Sequence, residues 1–195
     1  MGCGVGIGFY QERIVLVFVC AALFSVTHLG NAWVFQYLSV SEHISWIYLP
    51  AFLRLMYVLV LGTWWGFAAV FLGSLALAGS LNEHLTHALL NAACSALSPV
   101  LAVWLFRLLK ERGLVLTRLR DLIELSVLYA LINALLHHIN WAVQQPGQFL
   151  SAQQLPIMVA GDLLGAAMGA AFFTLIFRHF GLYGLLERLS KSNKP

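Results

Sequence analysis

The chain has 195 residues, 61% of them hydrophobic and only 10% charged, with a net charge of +3 and a mean hydropathy of +0.83. Soluble domains carry about 45–50% apolar and about 25% charged residues, so this composition belongs to a bilayer. Six spanning helices of about 20 residues would occupy roughly 120–140 positions, which excludes a separate soluble catalytic or nucleic-acid-binding domain of ordinary size.

The N-terminus opens Met1-Gly2-Cys3, but Gly6 stands where a myristoylation signal has Ser or Thr,. Glycines 2, 4, 6 and 8 follow no strand and form no nucleotide loop,. Cys3, Cys20 and Cys94 are odd in number and far apart, so they frame no disulfide scaffold,. The first apolar run has a single Arg beside Glu12 ahead of it and no small-residue cleavage site, and it reads as a retained span rather than a signal peptide,.

Apolar runs and their punctuation predict spans at 14–37, 44–61, 64–79, 84–109, 122–143 and 155–178,. The second and third are split at Gly62-Thr63-Trp64-Trp65-Gly66. Read as one helix they would reach about 54 Å, too long for a single crossing, so a helical hairpin is expected. Beyond the last span, Leu182, Leu185, Leu186 and Leu189 accompany Arg188 in a basic amphipathic tail, 180–195, expected to lie along the membrane surface,. The expected fold is all-α: a polytopic integral membrane helical bundle, residues 1–195 forming one domain.

Lys and Arg set the orientation. With the N-terminus inside, the inner segments and helix ends hold Arg13, Arg107, Lys110, Arg112, Arg118, Arg120, Arg178, Arg188, Lys191 and Lys194, ten of the eleven basic residues. The outer loops around 38–43, 80–83 and 144–154 hold none. Both termini are therefore expected to be cytoplasmic. The basic residues punctuate apolar runs instead of forming a patch, so no nucleic-acid partner is expected.

An ionisable side chain at mid-span costs at least about 2.5–3.5 kcal/mol and asks for a reason. Arg54 and Asp162 are the opposite charges placed at similar depth, and they are expected to pair, either as a structural bridge or as part of a ligand site. On the fourth span His84, His87, Asn91, Ser95 and Ser98 fall on one helical stripe,. On the fifth, Ser126, Tyr129, Asn133, His137 and Asn140 repeat the same offsets. A hairpin folded about Arg112 would set His84 against Asn140, His87 against His137, Asn91 against Asn133, Ser95 against Tyr129 and Ser98 against Ser126.

Interhelical hydrogen bonds worth about 0.6 kcal/mol each account for the Asn and Ser members. The candidate ligand-binding residues are Arg54, Asp162, His87, His137, Asn91 and Asn133. Six of the seven histidines, His28, His43, His84, His87, His137 and His138, fall toward the outer side. His84 and His87 at i, i+3 with His137 from the facing helix would offer three ligands to a transition metal, with Asp162 or Glu83 nearby. Haem ligation and proton sensing are other uses of the same cluster. No resident cofactor is otherwise implied.

Gly161, Gly165 and Gly169 make a smooth helix face for close packing, with Asp162 at its edge,. Pro50, one turn before Arg54, is expected to free backbone carbonyls where a helix lines a cavity. Tyr48-Leu49-Pro50-Ala51 through Gly62, then Trp65-Gly66 and Phe71-Leu72-Gly73-Ser74, resembles the proline-containing hairpin of the bacterial membrane-associated sensor domain of the first type. Gly161-Asp162-Leu163-Leu164-Gly165 resembles a step in that family's later helix. The resemblance covers about a third of the chain. It implies an integral membrane input module joined to a cytoplasmic kinase, diguanylate cyclase or phosphodiesterase, and it carries over Pro50, Gly161, Asp162 and Gly165. This chain departs from the pattern in having fewer spans and no output domain, so a cytoplasmic signalling partner is expected.

Six short spans in about 200 residues also resemble the substrate-binding subunit of vitamin or metal uptake systems that borrow a separate ATPase. No N-terminal metal-binding histidine motif accompanies that resemblance. An intramembrane enzyme is a third class, and GxSxG, HExxH and paired-aspartate motifs are all missing,.

Overall fold

The computed structural model describes residues 4–41, 44–80, 84–110, 118–144 and 153–179. These form six helices: α1 (Gly4–Val34), α2 (Pro50–Leu61), α3 (Thr63–Ser80), α4 (Leu85–Lys110), α5 (Leu119–Gln144) and α6 (Gln154–His179). A short antiparallel hairpin, β1 (Ser39–Ser41) with β2 (Ile44–Ser45), joins α1 to α2. Four helices, α1, α4, α5 and α6, are long and apolar enough to cross a membrane, which makes this a multi-pass membrane protein. The tail 180–195, His43, Glu83 and Arg112 lie outside the described residues.

The expected second span, 44–61, is helical only from Pro50. Proline has no N–H to donate and its φ suits the first helical position, so Pro50 starts α2 rather than interrupting it. That corrects the expectation of a helix broken at Pro50. The 12 residues of α2 span about 18 Å, short of the ~30 Å hydrocarbon thickness. Residues 44–49 lead into α2 as strand and coil.

Non-helical backbone packed among apolar helices needs protein partners for its polar groups. Here Tyr48 N donates to Gly161 O at 3.1 Å and Trp46 N to Leu38 O at 3.0 Å. Leu49 N donates to Asn31 Oδ1 at 2.9 Å, and Asn31 Nδ2 returns a bond to Ile47 O at 3.1 Å. The smooth glycine face of α6 receives this segment: a Cβ on Gly161 would overlap Ser45 O, and one on Gly165 would overlap Tyr48 O. The face expected to admit a neighbouring helix admits extended backbone as well. Gly169 lies against the Phe52 ring on α2.

A single residue, Gly62, turns α2 into α3, at φ 89°. That left-handed backbone favours glycine. The two helices then meet closely at Gly66, where a Cβ would overlap the backbone of Tyr57 and Val58. The hairpin expected at 62–66 is present. Arg13 Nη1 donates to Leu61 O at 3.3 Å, tying α1 to this turn.

The helices are apolar on every side, so hydrophobicity does not choose the inward face. Size and polarity do. Ala88, Ala92, Ala96, Ala102, Ala130 and Ala134 are buried, while Trp64, Trp104, Leu108, Leu135 and Phe172 face outward. Small residues let helices approach where no water drives them together. Helices α2, α3, α4, α5 and α6 form a ring closed by α2 packing on both α3 and α6, and α1 lies against α3 and α2. One apolar cluster joins α1, α2 and α3 with Ala96 of α4, a second joins α2, α4 and α5, and a third joins β2, α5 and α6. The polar site sits among them.

Candidate functional site

Arg54 projects from α2 into the ring and is 5% exposed. Its Nη1 donates to Asn133 Oδ1 at 3.2 Å and to Tyr129 Oη at 3.4 Å. Its Nη2 donates to Tyr48 Oη at 2.9 Å and to Ser95 Oγ at 3.0 Å. The guanidinium carbon stands 4.9 Å from the Tyr48 ring centroid and 5.5 Å from that of Phe24, within cation–π range,. Neutral oxygens and aromatic faces, not a carboxylate, surround the cation.

Asp162, 2% exposed, accepts from Asn133 Nδ2 at 2.7 Å through its Oδ2. Among the described residues no direct ion pair joins it to Arg54. The expected pairing is corrected to a relay: Asn133 presents its carbonyl to the cation and its amide to the anion. Ser98 Oγ also donates to Asn133 Oδ1, at 3.0 Å. Two donors on one side and a carboxylate on the other fix which way this amide points.

The network extends outward in both directions. Tyr48 Oη lies 3.0 Å from His28 Nδ1, and Ser95 Oγ lies 3.3 Å from His137 Nε2. Farther along, Asn91 Oδ1 accepts from Asn140 Nδ2 and Trp141 Nε1, each at 2.9 Å. Pro99 inside α4 supplies no N–H to the Ser95 carbonyl one turn back,. Ser98 donates to the Cys94 carbonyl at 2.5 Å, so hydroxyls gather where the helix ladder is interrupted.

The two polar stripes do face each other, in a different register. Asn133 meets Ser98 rather than Asn91, and Asn140 meets Asn91 rather than His84. Each partner has moved seven residues, about two helical turns. The same helix face is presented, so the stripe survives while every expected pair changes. His137 meets Ser95 instead of His87.

The metal expectation fails on this register. His84 and His87 contact each other, with ring centroids 6.2 Å apart, but His137 is held on Ser95 two turns deeper. Among the described residues no group of three His, Cys, Asp or Glu is disposed to hold a metal ion. His87 likewise leaves the candidate ligand set, since it does not line the cavity described next.

A cavity of about 90 Å³ opens beside Arg54. All six helices contribute to its walls, Arg54, Asp162, Asn91, Ser95, His137 and Trp141 among them. That volume holds several waters or a small polar molecule. The charges, amides and His137 of the sequence-derived set are thus gathered in one place, with Asn133 just behind the wall. Tyr48, Tyr129, Ser95, His28 and Asn31 were not in that set. Asn31 and His28 sit one turn apart on α1 as polar residues in an apolar run, a signal available in the sequence. Tyr48 precedes the helix start, where no periodicity marks it.

No family model matches the chain, and no curated protein or solved structure is significantly similar to it.

Proposed function

We propose that this protein is an integral membrane receptor of the bacterial inner membrane, a sensor or ligand-binding module that acts through a partner protein. Its ligand enters the Arg54–Asn133–Asp162 cavity from the outer side. Six crossings, counting the α2–α3 hairpin as two, would put both termini on one side, and the distribution of Lys and Arg favours the cytoplasmic side. The observation that carries the reading is a buried guanidinium held only by neutral groups at the wall of a polar cavity. An ionisable group so deep in a membrane bundle marks function more often than stability.

The resemblance of the Tyr48–Gly62 and Gly161–Gly165 stretches to membrane-associated sensor domains supports a sensory role. Apolar walls with a few convergent polar groups are what small-ligand sites share. A substrate-binding subunit of a vitamin or metal uptake system would use the same cavity with a different partner, an ATPase, and a metal cargo would lack a donor set among the described residues.

The test is capture from the native membrane in mild detergent after crosslinking. Recovery of a kinase, cyclase or phosphodiesterase supports the sensor. Recovery of a transport ATPase replaces it with the uptake reading, and recovery of neither class rejects partner-dependent action.

A further inference from the structure

We infer that the cavity takes a small zwitterion, an ammonium and a carboxylate on a short carbon spacer as in a free amino acid. This rests on the receptor reading above. Two opposite charges, Arg54 and Asp162, line one cavity and do not touch, because Asn133 stands between them. A lone anion entering would meet the Asp162 carboxylate, and a lone cation would meet the Arg54 guanidinium. A ligand carrying both charges satisfies both ends at once.

Each end has spare capacity. Asp162 commits Oδ2 to Asn133, and a carboxylate has a second oxygen with which to accept another donor. Asp162 lines the cavity, and an ammonium entering it offers three donors to the carboxylate. The rings of His137 and Trp141, 5.2 Å apart, also line the cavity and give the cation an aromatic wall,.

At the other end Arg54 Nη2 is held by two hydroxyls, those of Tyr48 and Ser95. Hydroxyls rotate, so both can turn from accepting the guanidinium's protons to donating toward an incoming carboxylate. Arginine prefers a carboxylate to neutral oxygens, since charge-assisted bonds are about twice as strong. Phe24, Leu77 and Met158 complete the wall with apolar surface suited to an aliphatic side chain.

The experiment uses the full chain in bilayer nanodiscs, with the twenty common amino acids as probes. Each is compared with its methyl ester, which lacks the carboxylate, and its N-acetyl form, which lacks the ammonium. Binding is read by calorimetry and by the shift in unfolding temperature. At least one free amino acid is expected to bind, with both derivatives weakened tenfold or more. Asp162→Asn should bring the free and N-acetyl forms to equal affinity. Arg54→Gln should do the same for the free acid and the ester.

Because Arg54→Gln can fail to fold, Ala92→Leu serves as a second variant. It fills the cavity from α4 while keeping both charged side chains in the chain, and it should abolish binding in a protein that elutes normally. Equal binding of a free amino acid and either derivative overturns the zwitterion while leaving a receptor whose cavity binds. Absence of binding by all twenty also overturns it, and the receptor reading then stands or falls on partner capture.

Discussion

Asn133 has no charge, yet it governs both charges of the site. Its amide is the one group that contacts Arg54, Ser98 and Asp162 together. Replacing it with leucine, branched alike but without hydrogen-bonding atoms, would leave a buried cation and a buried anion each short of a partner. Losing one member of a buried charged network costs about 3–5 kcal/mol. Asn133→Leu is therefore expected to lower the unfolding temperature in detergent far more than Ser126→Ala, whose hydroxyl only bonds the Leu122 carbonyl of its own helix. A double-mutant cycle on Arg54→Gln and Asp162→Asn should show coupling above about 0.5 kcal/mol that disappears when Asn133 is leucine.

At the same scale, Tyr48→Phe keeps the ring under the guanidinium and removes the hydroxyl between His28 and Arg54. It should cost about 1–2 kcal/mol, as one lost charge-assisted bond does. Arg54, Asp162, Asn91, Asn133 and His137 were legible in the sequence because charges and amides are rare in apolar helices. Tyr48 was not, since a tyrosine ahead of a helix resembles an ordinary interfacial aromatic.

Glycine spacing gives contrasting outcomes among helices. In α6, Gly165→Ala would drive a Cβ into the Tyr48 carbonyl, whereas in α1 a Cβ on Gly30 meets nothing within 4 Å. Gly165→Ala should destabilise and displace the segment bearing Tyr48. Gly30→Ala should stabilise by about 0.5–1 kcal/mol through helix propensity alone. Unfolding midpoints of the two variants, measured side by side, check the difference.

Asn31 holds segment 44–49 from the side. Asn31→Ala removes its bonds to Ile47 O and Leu49 N and should speed hydrogen exchange at Leu49 while leaving α4 and α5 protected,. All six helices were legible from apolar runs, but the start of α2 was not. Ile44-Ser45-Trp46-Ile47-Tyr48-Leu49 is as apolar as a helix, and hydropathy does not separate helix from buried strand. Pro50 at the first helical position was the signal that did.

Across the whole molecule, stripe matching found which faces of α4 and α5 meet and missed the register by two turns. A face is set by 3.6-residue periodicity, whereas register depends on where the chain reverses. The helix ends at Lys110 and Leu119 put that reversal beyond Arg112. Lys110 and Glu124 close it with a 2.7 Å ion pair that also holds Arg120.

The proposed orientation makes a direct prediction at this scale. With the native cysteines replaced, a cysteine at Val40 should react with an impermeant maleimide added outside intact cells. One at Arg118 should react only after the membrane is opened. The reverse pattern would invert the topology.

Segment 44–49 also determines how the site can open. A helix moving in a bilayer must slide against its neighbours along its whole length, whereas this stretch is tied to the helices by five hydrogen bonds among the described residues: Tyr48 N to Gly161, Leu49 N and Ile47 O to Asn31, and the Tyr48 hydroxyl to Arg54 and His28. At about 1 kcal/mol each, their loss together corresponds to an unlatched population of roughly one molecule in five thousand. Such a minor state is accessible without unfolding any span. It would swing Tyr48 away from Arg54 and carry β1 and β2 with it, making the strand hairpin a hinged door handle at one end of the helical bundle.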